Sequence, residues 1–188
     1  MVVDKVLCLI TGPSGSGKTC TALEAKKRLL ISADGSKQQG FDEKLCNDRR
    51  SPLSAEVIHQ DHYFTKPFVS YDERVDDSYE NGSGIDWERL VADIRSFFGE
   101  DCRKEAASSG NENGSKVLIV EGHLLGDATN LFRQKIFSCQ NVGVLGVFLV
   151  GWSQESCKHR RLARKKGRSE DEWNKLSKYI DTFVWPSF

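Results

Sequence analysis

The sequence has no surplus of either charge: 27 Lys and Arg stand against 27 Asp and Glu in 188 residues. That balance excludes a polyanion-binding surface spread over the whole molecule and leaves any nucleic-acid role to a local patch. The six cysteines, Cys8, Cys20, Cys46, Cys102, Cys139 and Cys157, include no CxxC pair, and no histidines stand at zinc spacing. Their scatter argues against a metal knuckle or a disulfide framework and for reduced thiols in a cytoplasmic protein. No apolar stretch approaches membrane-spanning length, and the short run after Asp4 and Lys5 is too brief for the apolar region of a signal peptide. These absences predict a soluble protein with no membrane or nucleic-acid partner, of a length that suits one α/β domain.

What is present is concentrated first at 12–19, GPSGSGKT, between an apolar run at 6–10 and a helix-like segment at 19–30. Gly12, Gly15 and Gly17 let the backbone turn tightly and aim N–H groups at phosphate oxygens; Lys18 adds a positive charge and Thr19 a hydroxyl for Mg²⁺. The run at 6–10 is apolar throughout, as expected of a central parallel strand covered on both faces. The helix at 19–30 mixes Leu23, Leu29 and Leu30 with Lys26, Lys27 and Arg28, an amphipathic pattern with cations toward its C-terminal end.

Residues 33–52 are polar and aperiodic, a surface excursion. A β-prone segment at 55–60 ends at Asp61, and ligands of open α/β sheets gather beyond the carboxyl ends of strands. The HYFTKP that follows crowds rings beside that carboxylate, suited either to a planar ligand or to a loop packing its own rings. Residues 71–80 are mostly acidic, with Arg74 the exception. Asp86 is placed to cap a helix whose Trp87, Leu90, Val91, Ile94, Phe97 and Phe98 recur at helical spacing, a core stripe. After the polar connection at 105–116, the strand at 117–120 ends at Glu121, where a phosphate-binding fold places the carboxylate that manages Mg²⁺ and its waters. A further apolar strand is expected at 142–150, and Ser153 opens a helix. Seven Lys or Arg lie within 158–168; Arg160 and Arg164, one turn apart, can reach the same phosphates as a closing lid. Helical character resumes at 170–179.

Phosphoryl transfer needs a phosphate cradle, Mg²⁺, a group that orients the attacking hydroxyl, and cations for the developing charge. The chain supplies each in order. A GTPase is disfavoured, since neither NKxD nor a DxxG switch occurs. Asp61 would orient the acceptor hydroxyl and take its proton late, because an aspartate is a weak base at neutral pH.

Taken together, GPSGSGKT, HQDHYFTKP at 59–67, SYENGSGIDW at 78–87, LIVEGHLL at 118–125, CKHRRLAR at 157–164 and YIDTFVWP at 179–186 resemble the nicotinamide riboside kinases, within the uridine kinase-like P-loop family. The resemblance spans nearly the whole chain. It implies a three-layer α/β P-loop NTPase fold, a mostly parallel central sheet flanked by helices, and a small arginine-rich lid. It implies ATP and Mg²⁺ as cofactors and a nucleoside as substrate, most simply nicotinamide riboside phosphorylated at its 5′-hydroxyl. Gly12, Pro13, Ser14, Gly15, Ser16, Gly17, Lys18, Thr19 and Cys20 would hold ATP, with Arg160 and Arg164 reaching its phosphates. Thr19, Asp61 and Glu121 would surround the metal, and Asp61 would serve as base. Phe64 would lie against the base ring with His62 and Tyr63 beside it; Tyr79 and Glu80 would hold the nucleoside and Arg161 would reach it. The family pattern usually has Asp where Glu80 stands, Thr65 is an extra residue, and family members continue past the Trp-Pro with a strand and helix. The expectation is therefore a single kinase domain over 1–188 lacking that C-terminal strand and helix, monomeric or weakly self-associating. A uridine or cytidine kinase and a truncated, non-catalytic nucleotide-binding protein are the alternatives.

Overall fold

The apolar run at 6–10 forms the interior strand β1 (Lys5–Thr11) of a four-stranded sheet. The computed structural model describes residues 4–33, 53–67, 69–70, 73–99, 114–126, 128–136, 142–149 and 153–187. Most of the polar excursion at 33–52, residues 71 and 72 of the acidic stretch, the connection at 105–113 and residue 150 lie outside them.

Beside β1 run β3 (Ser115–Gly122) on one side and β4 (Val142–Phe148) on the other, with β2 (Leu53–His59) outside β3, and all pairings are parallel. Strand alternation sends successive side chains to opposite faces, and each face meets its own helix. Leu7, Leu118 and Val120 pack with Leu90, Val91, Ile94 and Phe98 of α2 (Trp87–Phe98), together with Phe132 of α3 (Thr129–Lys135). Ile10 and Ile119 pack against Ala22 of α1 (Lys18–Ala33), with Leu29 partly buried beside them. Helix, sheet and helix thus make the three layers. α2 begins as its sequence suggests: the Asp86 carboxylate accepts from Arg89 N at 3.0 Å, and Gly99 closes the helix in the left-handed region at φ 73°.

Two apolar signals are buried less than their sequence suggests. Leu23 and Leu30 of α1 are exposed, so this helix seats on the sheet through Ala22, Ala25 and Leu29 rather than through a full leucine stripe. β4 is the sheet edge, and Val144, Leu145 and Phe148 are exposed. Beyond it, α4 (Gln154–Ala163) and α5 (Glu170–Tyr179), continued by a π-helical turn at Ile180–Val184, build a second cluster from Leu162, Leu176, Tyr179, Ile180 and Val184. Ser153 caps α4, and Ser169 with Glu172 forms a capping box at α5. Among the described residues, no helix is long and apolar enough to cross a membrane.

Candidate active site

The glycine-rich turn leaves β1 and enters α1 in a shape that L-residues rarely adopt, with Gly12 at φ 147° and Gly15 at φ 88°. Sterics add to the requirement: a Cβ on Gly12 would stand 2.6 Å from the Leu149 carbonyl, and one on Gly15 would stand 2.5 Å from that of Cys157. The turn is therefore wedged between the end of β4 and the first turns of α4. Lys18 opens α1, is largely buried, and folds its ammonium onto the Pro13 carbonyl at 2.9 Å. Burial pushes its pKa down to about 8, with Arg161 and Arg164 pushing the same way against the attraction of Glu121 and Asp61.

Ser14, Gly15, Gly17, Lys18, Thr19 and Cys20 line one pocket with Asp61, Glu121, His123, Arg161 and Arg164. The loop, Asp61, Glu121 and His123 arrive from the ends of parallel strands and the first turn of α1, whereas Arg161 and Arg164 come from the C-terminal end of α4. Thr19 Oγ1 donates to Glu121 Oε1 at 2.9 Å, and His59 Nδ1 meets the same oxygen at 2.7 Å. Asp61 follows β2 in a 3₁₀ turn, its side chain 67 % exposed and its Oδ1 3.8 Å from His123 Nδ1. Among the described residues no three His, Cys, Asp or Glu side chains converge as a metal cage. The Thr19 hydroxyl and the two carboxylates are hard oxygen donors, and that set fits Mg²⁺ held jointly with phosphate oxygens rather than by protein alone.

Helix α4 faces the pocket differently from the sequence reading. Arg161 follows the buried Cys157 by one turn, so it lies on the inward face and lines the pocket with Arg164. Arg160, 100° further round, is exposed and is not among the described pocket-lining residues. Arg161 and Arg164 thus line the pocket together with the phosphate loop, while Arg160 stands on the exposed side of α4. Burial, and then repulsion from Arg164, pushes Arg161 down to about 9, against the attraction of Asp61, and it remains a cation at neutral pH.

The aromatic stretch after Asp61 divides. Phe64 lies against Tyr79, ring centres 5.4 Å apart, and against His123 at 6.0 Å. Tyr63 turns the other way, into the α2 core: its hydroxyl donates to Asp93 at 2.7 Å and Arg89 lies over its ring. The sequence placed Tyr63 with the substrate; as the last residue of the 3₁₀ turn Gln60–Tyr63 its ring is buried in the core beside α2. His62 is exposed and stands edge-on to His59. Glu80 is buried: Tyr179 donates to its Oε1 at 2.9 Å, Arg74 Nη1 lies 3.5 Å from the same oxygen, and His123 Nε2 stands 3.5 Å from Oε2. Tyr79 and Glu80 thus adjoin the phosphate pocket through His123, which touches both Asp61 and Glu80.

Four of these residues carried no role in the sequence: His59, Arg74, His123 and Tyr179. His59 and His123 had a readable signal, since both flank carboxylates at the carboxyl ends of strands. Arg74 and Tyr179 are brought together with Glu80 only by the fold. A further close approach explains Gly122, where a Cβ would stand 2.0 Å from Oε1 of the buried Gln60, whose carbonyl accepts from Leu124 N at 3.0 Å. A larger groove between α4 and α5, lined by Lys158, Leu162, Trp173 and Asp181 among others, holds none of the residues predicted for phosphate chemistry.

No protein-family model matches the chain, and no curated protein matches it. Among solved structures it is similar to a deoxyadenosine kinase from M. mycoides with bound dATP, at 12 % identity and a TM-score of 0.33 over 93 % of this chain and 81 % of that one. At that distance the account of the fold rests on the chain's own strand order and glycine loop.

Proposed function

We propose that this chain transfers the γ-phosphoryl group of ATP to the 5′-hydroxyl of a nucleoside, and that the nucleoside is nicotinamide riboside. The observation that carries the reading is one pocket in which Lys18 and Thr19 of the phosphate loop face Asp61, Glu121, Arg161 and Arg164, with Tyr79 and Glu80 adjoining it through His123. Resemblance of the six sequence motifs to the nicotinamide riboside kinases supports the finer assignment.

The residues divide the work by chemistry. The loop from Gly12 to Cys20 cradles the phosphates, and Lys18, released from the Pro13 carbonyl, neutralises charge between the β and γ positions. Arg161 and Arg164 offer planar donors to the transferring group. Asp61, open to solvent on one side, orients the acceptor hydroxyl and accepts its proton as the new bond to phosphorus forms. Thr19, with Asp61 and Glu121, would hold Mg²⁺, which supplies charge neutralisation and a fixed geometry for the phosphate oxygens. His59 positions Glu121, and Tyr79 with Phe64 offers ring faces to the base.

The test is direct. Purified protein with ATP and Mg²⁺ is given nicotinamide riboside, uridine, cytidine and deoxyadenosine, and nucleoside monophosphates are quantified. Preferred conversion of nicotinamide riboside is expected. A preference for uridine or cytidine rejects the finer assignment, and ATP binding without transfer to any nucleoside rejects the kinase reading.

A further inference from the structure

The groups assigned above to the acceptor are already engaged, and one side chain engages most of them. The Arg74 guanidinium carbon lies 4.0 Å from the centre of the Tyr79 ring and 5.9 Å from that of Tyr179. Its Nη1 approaches Glu80 Oε1 at 3.5 Å, and its Nε donates to the Val69 carbonyl at 3.1 Å. The side chains of Arg74 and Glu80 are 5 % and 2 % exposed. A planar, delocalised cation thus sits on an aromatic face with its charge against a buried carboxylate, an arrangement in which each partner supplies what the other lacks.

The position matters as much as the pairing. Glu80 is one residue from Tyr79, and its second oxygen faces His123, whose other ring nitrogen faces Asp61. A nucleoside whose 5′-hydroxyl is oriented by Asp61 and whose sugar reaches Glu80 would place its base at Tyr79, where the guanidinium now lies. Ligand and Arg74 cannot both have that ring face and that carboxylate.

We infer that Arg74 is an internal occupant of the acceptor subsite, holding Tyr79, Tyr179 and Glu80 in place until an acceptor displaces its guanidinium, and that it thereby lowers the apparent affinity of every acceptor. This rests on the reading of Tyr79 and Glu80 as acceptor residues. Two consequences follow from the chemistry. The apparent acceptor affinity is lowered by the fraction of molecules in which Arg74 still fills the subsite. An acceptor with a positively charged planar ring leaves Glu80 compensated after the exchange, whereas a neutral base leaves a buried carboxylate without its cation. That difference belongs to Glu80 in the two complexes, so removing the occupant changes both affinities by the same factor.

The experiment compares wild type, R74A and R74K by thermal melting and by calorimetric binding, with methylguanidinium, nicotinamide riboside and uridine as probes. R74A is expected to melt lower than wild type, and millimolar methylguanidinium to raise its midpoint while leaving wild type unmoved. R74K keeps a cation but loses the planar fork, which makes it the variant to rely on if R74A does not fold. In both variants nicotinamide riboside should bind about tenfold more tightly than to wild type, by removal of the competing state, and uridine affinity should rise by the same factor. If neither variant gains acceptor affinity, Arg74 is a structural ion-pair partner and the inference is overturned, whether or not methylguanidinium restores the melting midpoint of R74A. None of these readouts requires phosphoryl transfer. Tighter acceptor binding by both variants in a protein that phosphorylates no nucleoside would support the occupant and reject the kinase, and unchanged acceptor binding in an active kinase would do the reverse.

Discussion

Lys18 is a buried cation whose nearest acceptor is a loop carbonyl, and its lowered pKa records that the ligand-free loop does not supply enough negative charge. With the folded value at about 8 and an unfolded value near 10.4, the unfolded chain holds more protons between those pH values, so Lys18 makes the free protein gain stability as pH rises through that window. Phosphate oxygens restore the ordinary pKa. ATP added without metal at about pH 8.5 should therefore draw protons from solution, seen as a dependence of calorimetric heat on buffer ionisation enthalpy, and at about pH 6.5 it should draw none through this group. Lys18→Met should reduce the uptake at the higher pH. Asp61 predicts a different signature. Asp61→Asn keeps the shape and removes the proposed proton acceptor, so turnover should fall by about 10²–10⁴ while the dissociation constant for ATP without metal barely moves, checked by single-turnover kinetics beside equilibrium binding. Both residues were legible because each stands in a contiguous stretch at the end of an apolar run. For His59 only its place near a carboxylate at the end of β2 was legible; its role lies in the 2.7 Å contact with Glu121, 62 positions away, and nothing in one sequence couples the two.

At the scale of elements, the phosphate loop and α4 are one assembly. Gly15 lies under the Cys157 carbonyl, and Cys157 and Arg161 share the inward face of α4, so the loop's position and the arginine's direction are set by the same contact. Gly15→Ala introduces both a positive-φ alanine and a 2.5 Å clash; about 1–3 kcal/mol of stability should be lost by chemical denaturation, with ATP binding reduced alongside it. The helix itself was legible from Ser153 and its basic run. Which arginine faces inward was not, because spacing alone leaves the rotation of a helix undefined, and here the burial of Cys157 decides it. The same limit separates Tyr63 from Phe64: the sequence shows adjacent rings, and only the packing of α2 shows that the first belongs to the core.

The whole molecule has unequal parts. Two apolar clusters clamp the sheet between α1 on one side and α2 with α3 on the other, while α4 and α5 rest on a separate cluster around Leu176 and Tyr179. Local opening follows cooperative units of this kind. Leu176→Ala, at a fully buried position, should cost about 2–5 kcal/mol within that unit. Amide hydrogen exchange should then quicken in α4 and α5 while β1 and β3 keep their protection, and ATP affinity should fall because Arg161 and Arg164 travel with the unit. Uniform acceleration across the sheet would show one cooperative body instead. The layering was legible from the continuous apolar strand at 117–120 and the stripe of α2. The join between the second unit and the acceptor side, Tyr179 to Glu80 across 99 positions, was not, since no local pattern anticipates a hydrogen bond of that reach.

The glycine turn also bears on how this protein can recover from mutation. At Gly12 and Gly15 the atoms that would meet a new Cβ most closely are the backbone carbonyls of Leu149 and Cys157. Every residue that could replace Leu149 or Cys157 carries the same carbonyl, so exchanging the neighbour opens no space. A lesion at either glycine should accordingly have no suppressor at its contact partner. In a selection for restored nucleotide binding after Gly15→Ala, same-codon reversion should dominate, and recovery of substitutions at Cys157 would show that the chain can yield where its geometry looks fixed.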